Sequence, residues 1–221
     1  MIVTIDGPAG SGKSTAARLL AERLGFQFLD TGAMYRAVAL ECLERQIHVA
    51  DEARVAEVAR SLKIDALGPT VLSNERDVTT AIRAPEIAGA ASRVAAIPAV
   101  REAMVRQQQQ AAAGHNIVTE GRDQGTVVFP DALCKFYLTA EPDERARRRQ
   151  REMEEQGVRV GFDELRAQIE ERDSRDQNRQ TAPLLAAADA LAIDTTSMTI
   201  DEAVRCLETI VHRRMASRSE E

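Results

Sequence analysis

The chain has 221 residues, 44% hydrophobic and 29% charged, enough for one ample core. A net charge of −6 and an aromatic content of 3% with no Trp argue against a general nucleic-acid or membrane-binding face. Any anion site must therefore come from local groups of arginine. Cys42, Cys134 and Cys206 are odd in number and widely spaced, and His48, His115 and His212 share no motif, so neither disulfide nor zinc is indicated. No apolar run approaches a membrane span, and the short N-terminal one leads directly into a glycine-rich loop rather than a cleavage site. The expectation is a soluble cytoplasmic monomer without nucleic-acid or membrane partners.

The first element in order is the apolar run Ile2-Val3-Thr4-Ile5-Asp6, read as a buried strand. It passes into Gly7-Pro8-Ala9-Gly10-Ser11-Gly12-Lys13-Ser14, which fits G-x-x-x-x-G-K-[ST]. Residues 16–24 then have helical spacing and stop at Gly25. Strand, glycine loop and helix in this order form a phosphate cradle, because the backbone N–H groups and the helix N-terminus converge on one anion. Lys13 is expected at the β/γ-phosphates of ATP and the Ser14 hydroxyl at Mg²⁺, with residues 7–15, Thr15 included, binding ATP. A chance turn is the bland alternative, but lysine occurs only at 13, 63 and 135, so a chance match is about one in a thousand.

A second strand is predicted at residues 26–29, closed by a turn at Asp30-Thr31-Gly32, and a helical pattern from Ala33 places Tyr35 and Arg36 beside that turn. Asp51 reads as the N-cap of a helix to Leu62. Residues 63–84 are short β-prone pieces broken by turns. Residues 85–113 are alanine-rich and helical, with a break at Pro98 and a stop at Gly114. Residues 116–120 form another strand, ending in Gly121-Arg122-Asp123-Gln124-Gly125. Further strands are expected at 134–138 and 190–194, and Thr199-Ile200-Asp201-Glu202 is a capping box for a terminal helix. Strands alternating with helices behind a P-loop imply an α/β fold with a doubly wound parallel sheet flanked by helices. In such sheets ligands lie at the carboxyl ends of strands, which singles out the turns at 30–32 and 121–125.

Two arginine groups carry the chemical reading. Five arginines lie between Arg145 and Arg151, with Gly157 and Gly161 beyond them, and are read as a short lid over 145–162; Arg148 is the candidate for charge stabilisation. A helix capped by Asp163 is predicted to carry Arg172, Arg175, Asp176 and Arg179 on one face, at i, i+3, i+4 and i+7. Either group could be a solvated helix surface. Beside a P-loop, guanidinium forks suit phosphate oxygens, and a carboxylate among them can accept from sugar hydroxyls. A monophosphate acceptor, with a second pKa of about 6, needs no protein base. That suits a chain with many arginines and no evident nucleophile–base pair.

The blocks Val3-Thr4-Ile5-Asp6-Gly7-Pro8, Leu29-Asp30-Thr31-Gly32-Ala33-Met34-Tyr35-Arg36, Glu120 to Asp131, and Glu171-Arg172-Asp173 with Arg175, Asp176 and Arg179 resemble the bacterial cytidylate kinases. The resemblance spans essentially the whole chain. It implies one P-loop kinase domain over 1–221, with a monophosphate-binding insertion at 31–85 and the lid at 145–162. It also implies transfer of the ATP γ-phosphoryl group to CMP or dCMP with Mg²⁺, and no tightly bound organic cofactor. Arg36, Arg122 and Arg172 would hold the acceptor phosphate. Ser92, Arg101 and Asp123 would read cytosine, and Asp176 would take the sugar hydroxyls. Arg179, Asp30, Thr31 and Tyr35 would line the same pocket. Lys13, Arg122, Arg148 and Arg172 would act on the transferring group. Two rivals are weaker. Asp65-Ala66-Leu67-Gly68 superficially fits a GTPase D-x-x-G, but it falls in the irregular stretch and no N-K-x-D follows; a kinase for another acceptor, such as UMP or a small hydroxylated metabolite, is the second.

Overall fold

The computed structural model describes residues 1–155 and 157–218. The chain divides into two compact units, Met1–Phe26 with Val118–Glu221, and Gln27–Ile117.

The first unit is built on parallel strands. β1 (Ile2–Asp6) lies between β6 (Ile117–Gly121) and β7 (Cys134–Thr139), and β8 (Leu191–Asp194) follows β7. The β1–β7 and β7–β8 pairs are parallel, with Ile5 opposite Phe136 and Leu138 opposite Ile193. Val3, Thr4 and Ile5 are fully buried, as a central parallel strand with both faces covered requires. α1 (Lys13–Leu24) follows β1 through the glycine loop and ends where Gly25 takes a left-handed conformation, its N–H bonding Glu22 O at 3.2 Å. α8 (Ile200–Arg218) packs on α1, and its predicted capping box is present: Thr199 N donates to Glu202 Oε2 at 2.9 Å, and Glu202 N to Thr199 Oγ1. α6 (Pro142–Glu155) and α7 (Phe162–Asn178) pack against each other. Asp163 is not the cap of α7. Gly161 holds that position without a side-chain bond, and Asp163 lies in the first turn, where its charge suits the helix dipole.

The second unit comprises β2 (Gln27–Asp30), α2 (Thr31–Glu44), α3 (Glu52–Ser61), α4 (Pro85–Val94), α5 (Pro98–Ala112) and a small antiparallel sheet. That sheet orders β3 (Ile64–Asp65), β4 (Leu72–Ser73) and β5 (Arg76–Asp77). Its β4–β5 turn places Asn74 and Glu75 at φ 47° and 67°. Two successive positive values match a hairpin turn that follows the strands' twist. The expected turn at residues 30–32 is absent. β2 runs straight into α2, and Asp30 is the N-cap, its Oδ1 accepting from Ala33 N at 2.8 Å. Asp51 caps α3 in the same way, through Arg54 N.

Candidate active site

Residues 7–12 join β1 to α1, and Gly7, Gly10 and Gly12 have φ of 150°, 74° and 84°. A Cβ on Gly7 would lie 2.0 Å from Leu138 O, so neither side chain nor backbone could accommodate one. Ser14 and Thr15, on the first turn of α1, are exposed, leaving the Ser14 hydroxyl open at the helix N-terminus. Lys13 is buried, and its Nζ donates to Pro8 O at 2.7 Å. Burial, aided by the charges of Arg122 and Arg172 and opposed by Glu120, brings the lysine pKa down to about 7.

Asp6, at the end of β1, accepts from the backbone N–H groups of Gln124 and Gly125, both at 2.8 Å. It thereby holds the turn that carries Arg122 and Asp123. Burial raises its pKa to about 6 against these two bonds. Gly125 leaves room for this contact, since a Cβ there would sit 3.0 Å from Thr4 Oγ1.

Arg122 Nε donates to Asp176 Oδ2 at 2.8 Å, and both side chains are largely buried. Burial opposes both charges, but the pairing prevails, raising the Arg122 pKa and, with help from Arg172, lowering that of Asp176. Arg179 stands 3.8 Å from Asp123 Oδ1, with both groups almost fully enclosed. Arg172 is half-buried in the turn that holds Asp176. Thus the first unit brings together Lys13, Arg122, Asp123, Arg172, Asp176 and Arg179.

Arg175 does not join them. It is exposed and reaches back to Glu171, because the buried face of α7 runs through Leu165, Ile169, Asp173 and Asp176. The arginines of α6 also depart from an open, anion-seeking group. Glu144 serves Arg147, Arg148 and Arg151. Arg148 additionally donates to Thr195 Oγ1 at 3.0 Å and to Ser11 O at 3.4 Å, which places it beside the loop. Arg145 is buried and ion-paired with Asp173. Asp173 and Thr195 were not expected at the site. Thr195 follows β8 directly, so the strand-end rule that singled out residues 121–125 also reaches it.

In the second unit, Arg101 is buried with its guanidinium 5.6 Å above the Tyr35 ring, and Nη1 donates to Ala95 O. Arg36 donates to Ile82 O at 3.1 Å. Thr31 is buried and Ser92 half-buried. Asp30 is occupied structurally by Ala33 N and by Arg83, 3.0 Å from its second oxygen.

A lysine buried at the foot of a glycine loop, its pKa brought down to about 7 by burial and by the charges of Arg122 and Arg172, is arranged to meet a polyanion. With the parallel sheet beneath it, the chain is an α/β nucleotide-binding protein of the P-loop class. A solved structure of an uncharacterized protein from Eubacterium ventriosum ATCC 27560 shares this fold, with TM-score 0.53 and 13% identity over 96% of this chain and 98% of that one. The family model for cytidylate kinase matches residues 3–213. A cytidylate kinase of Caldanaerobacter subterraneus subsp. tengcongensis is 48% identical over 91% of this chain and 90% of its own length. One from Shewanella halifaxensis is 43% identical over 97% and 96%. The chain belongs to the cytidylate kinase family, and is thus an enzyme of the nucleoside monophosphate kinase class that moves a phosphoryl group from a nucleotide to CMP. No helix among the described residues is long and apolar enough to cross a membrane.

Proposed function

We propose that the donor is ATP, bound at residues 7–15, and that its γ-phosphoryl group passes in line to a phosphate oxygen of CMP or dCMP. The observation that carries this reading is the burial of Lys13 at the foot of the glycine loop, its Nζ on Pro8 O at 2.7 Å and within the field of the buried Arg122–Asp176 pair. Catalysis is then positioning and charge neutralisation. Arg122 and Arg172, with Arg36, hold the acceptor phosphate; its oxygen is largely deprotonated at pH 7, so no protein base is required. Lys13 follows the charge that develops between the β- and γ-phosphates, and Arg148 supports it from α6 within a lid at 145–162.

Asp123 accepts from the cytosine amino group, where uracil presents a carbonyl, and Ser92 and Arg101 complete the base reading. Asp176 takes the sugar hydroxyls while keeping Arg122 aligned, with Arg179 beside Asp123 in the same unit. Among the described residues no group of three or more His, Cys, Asp or Glu could hold a metal ion. Mg²⁺ would be held with the nucleotide phosphates by the Ser14 hydroxyl, on the exposed first turn of α1, and would supply charge neutralisation there.

The reading is tested by ATP turnover without acceptor, then with CMP, dCMP, UMP, AMP and shikimate in turn. Turnover should require the acceptor and be greatest with CMP or dCMP. Equal turnover without any acceptor would contradict it.

A further inference from the structure

The buried pair Arg145–Asp173, whose arginine opens the 145–162 stretch read as a lid, has no nucleotide contact assigned above. Asp173 Oδ1 accepts from Ala9 N at 3.0 Å, and its other oxygen takes Arg145. Arg145 Nη1 also donates to Ala9 O at 3.0 Å, and its Nε to Ala140 O at 3.0 Å. Both backbone groups of one phosphate-loop residue are therefore held by side chains of α6 and α7. The Ala9 methyl packs with Ala146 and Ile169, against which Phe162 lies, so the same two helices grip it through apolar contact as well. A Cβ on the next residue, Gly10, would stand 3.1 Å from Arg145 Cβ and from its carbonyl oxygen. The loop is thus seated directly on the first turns of α6.

A buried ion pair is a weak source of stability, because desolvation of both charges cancels most of their attraction. Fully satisfied and centred on the phosphate loop, this pair instead fixes a position. Its other end lies on α7, where Arg172 precedes Asp173 and Asp176 follows three residues later on the same turn. A hydrogen bond is lost after a displacement of a few tenths of an ångström. Any shift of this helical turn must therefore move Ala9 or break its bonds.

We propose that Arg145 and Asp173 are positioning residues that couple the two nucleotide sites: occupancy at Arg172 and Asp176 orders the phosphate loop through Ala9, and a bound triphosphate orders α7 in return. This rests on the donor and acceptor assignment above. Coupling of this kind is reciprocal, so each nucleotide must change the other's affinity by one common factor.

The experiment measures the Kd of CMP by calorimetry, alone and with a saturating non-hydrolysable ATP analogue and Mg²⁺, and then the Kd of the analogue with and without CMP. The wild-type factor should be about 5-fold or more and the same from both directions. In Asp173→Asn it should fall to within about 2-fold of one, while the affinity of the free enzyme for CMP stays within about 2-fold of wild type. Arg145→Gln combined with Asp173→Asn removes both charges together and should show the same loss; it is the variant read if the single one does not fold. A wild-type factor of one, or an unchanged factor in the variants, overturns the coupling while leaving the assigned activity standing. Failure of the wild type to bind CMP at all overturns both.

Discussion

Lys13 offers the sharpest perturbation, because its charge state should change when the donor binds. In the free protein burial and two neighbouring arginines hold its pKa near 7, against an ordinary value of 10.5. At pH 8 such a group has lost most of its charge. A triphosphate is by then fully ionised, its last pKa being close to that of other phosphomonoesters at ~6. Its charge outweighs the arginines and returns the lysine towards the ordinary range, so binding should take up a proton at this site. Calorimetric titration of a non-hydrolysable ATP analogue at pH 8, in two buffers of different ionisation enthalpy, reads this uptake directly. Lys13→Met should abolish the uptake and cut phosphoryl transfer severely.

The sign for stability follows from the same shift. Between pH 7 and 10.5 the unfolded chain holds more protons at this lysine than the folded one, so the ligand-free protein gains stability with rising pH across that window. Bound nucleotide should remove that gain. Uptake near zero in the wild type, or equal uptake in Lys13→Met, would refute the assignment of this lysine to the donor phosphates.

Three further outcomes are expected. Gly7→Ala sets a Cβ 2.0 Å from Leu138 O, a backbone atom of the neighbouring strand, and should destabilise by about 3 kcal/mol or more, seen as a lower denaturant midpoint; a midpoint within error of wild type would show that the loop can shift cheaply. Glu75→Gly relieves a side chain held at φ 67° in the β4–β5 turn and should raise stability by about 0.5–1 kcal/mol in urea unfolding, a loss instead counting against strain at that position. Asp123→Asn should reduce the preference for CMP over UMP by about 10- to 100-fold in kcat/KM, and an unchanged ratio would remove Asp123 from base reading.

The parts of this structure legible in the chain are those set by local chemistry. The glycine loop, the stop at Gly25, the cap at Asp51 and the box at Thr199–Glu202 each depend on a backbone need met within a few residues. Asp30 was placed at a strand end but read as a turn, because Asp-Thr-Gly suits turns and caps equally and only the helix after it decides. Counting from Arg172 by charge spacing includes Arg175, which the structure leaves exposed. Counting from the apolar residues Leu165 and Ile169 continues to Asp173 and Asp176, the face the structure buries. Arg145 had no such local signal. Its partners, Asp173 and Ala9, lie 28 and 136 positions away, so its burial depends on the packing of α6, α7 and the loop.

The phosphoryl group should pass from the donor nucleotide to CMP, with water excluded as acceptor. Incubation with γ-labelled ATP and CMP tests this most directly. Label should appear in the β-phosphate of CDP, in proportion to CMP supplied, with little inorganic phosphate. Labelled inorganic phosphate formed equally well without CMP would contradict the account.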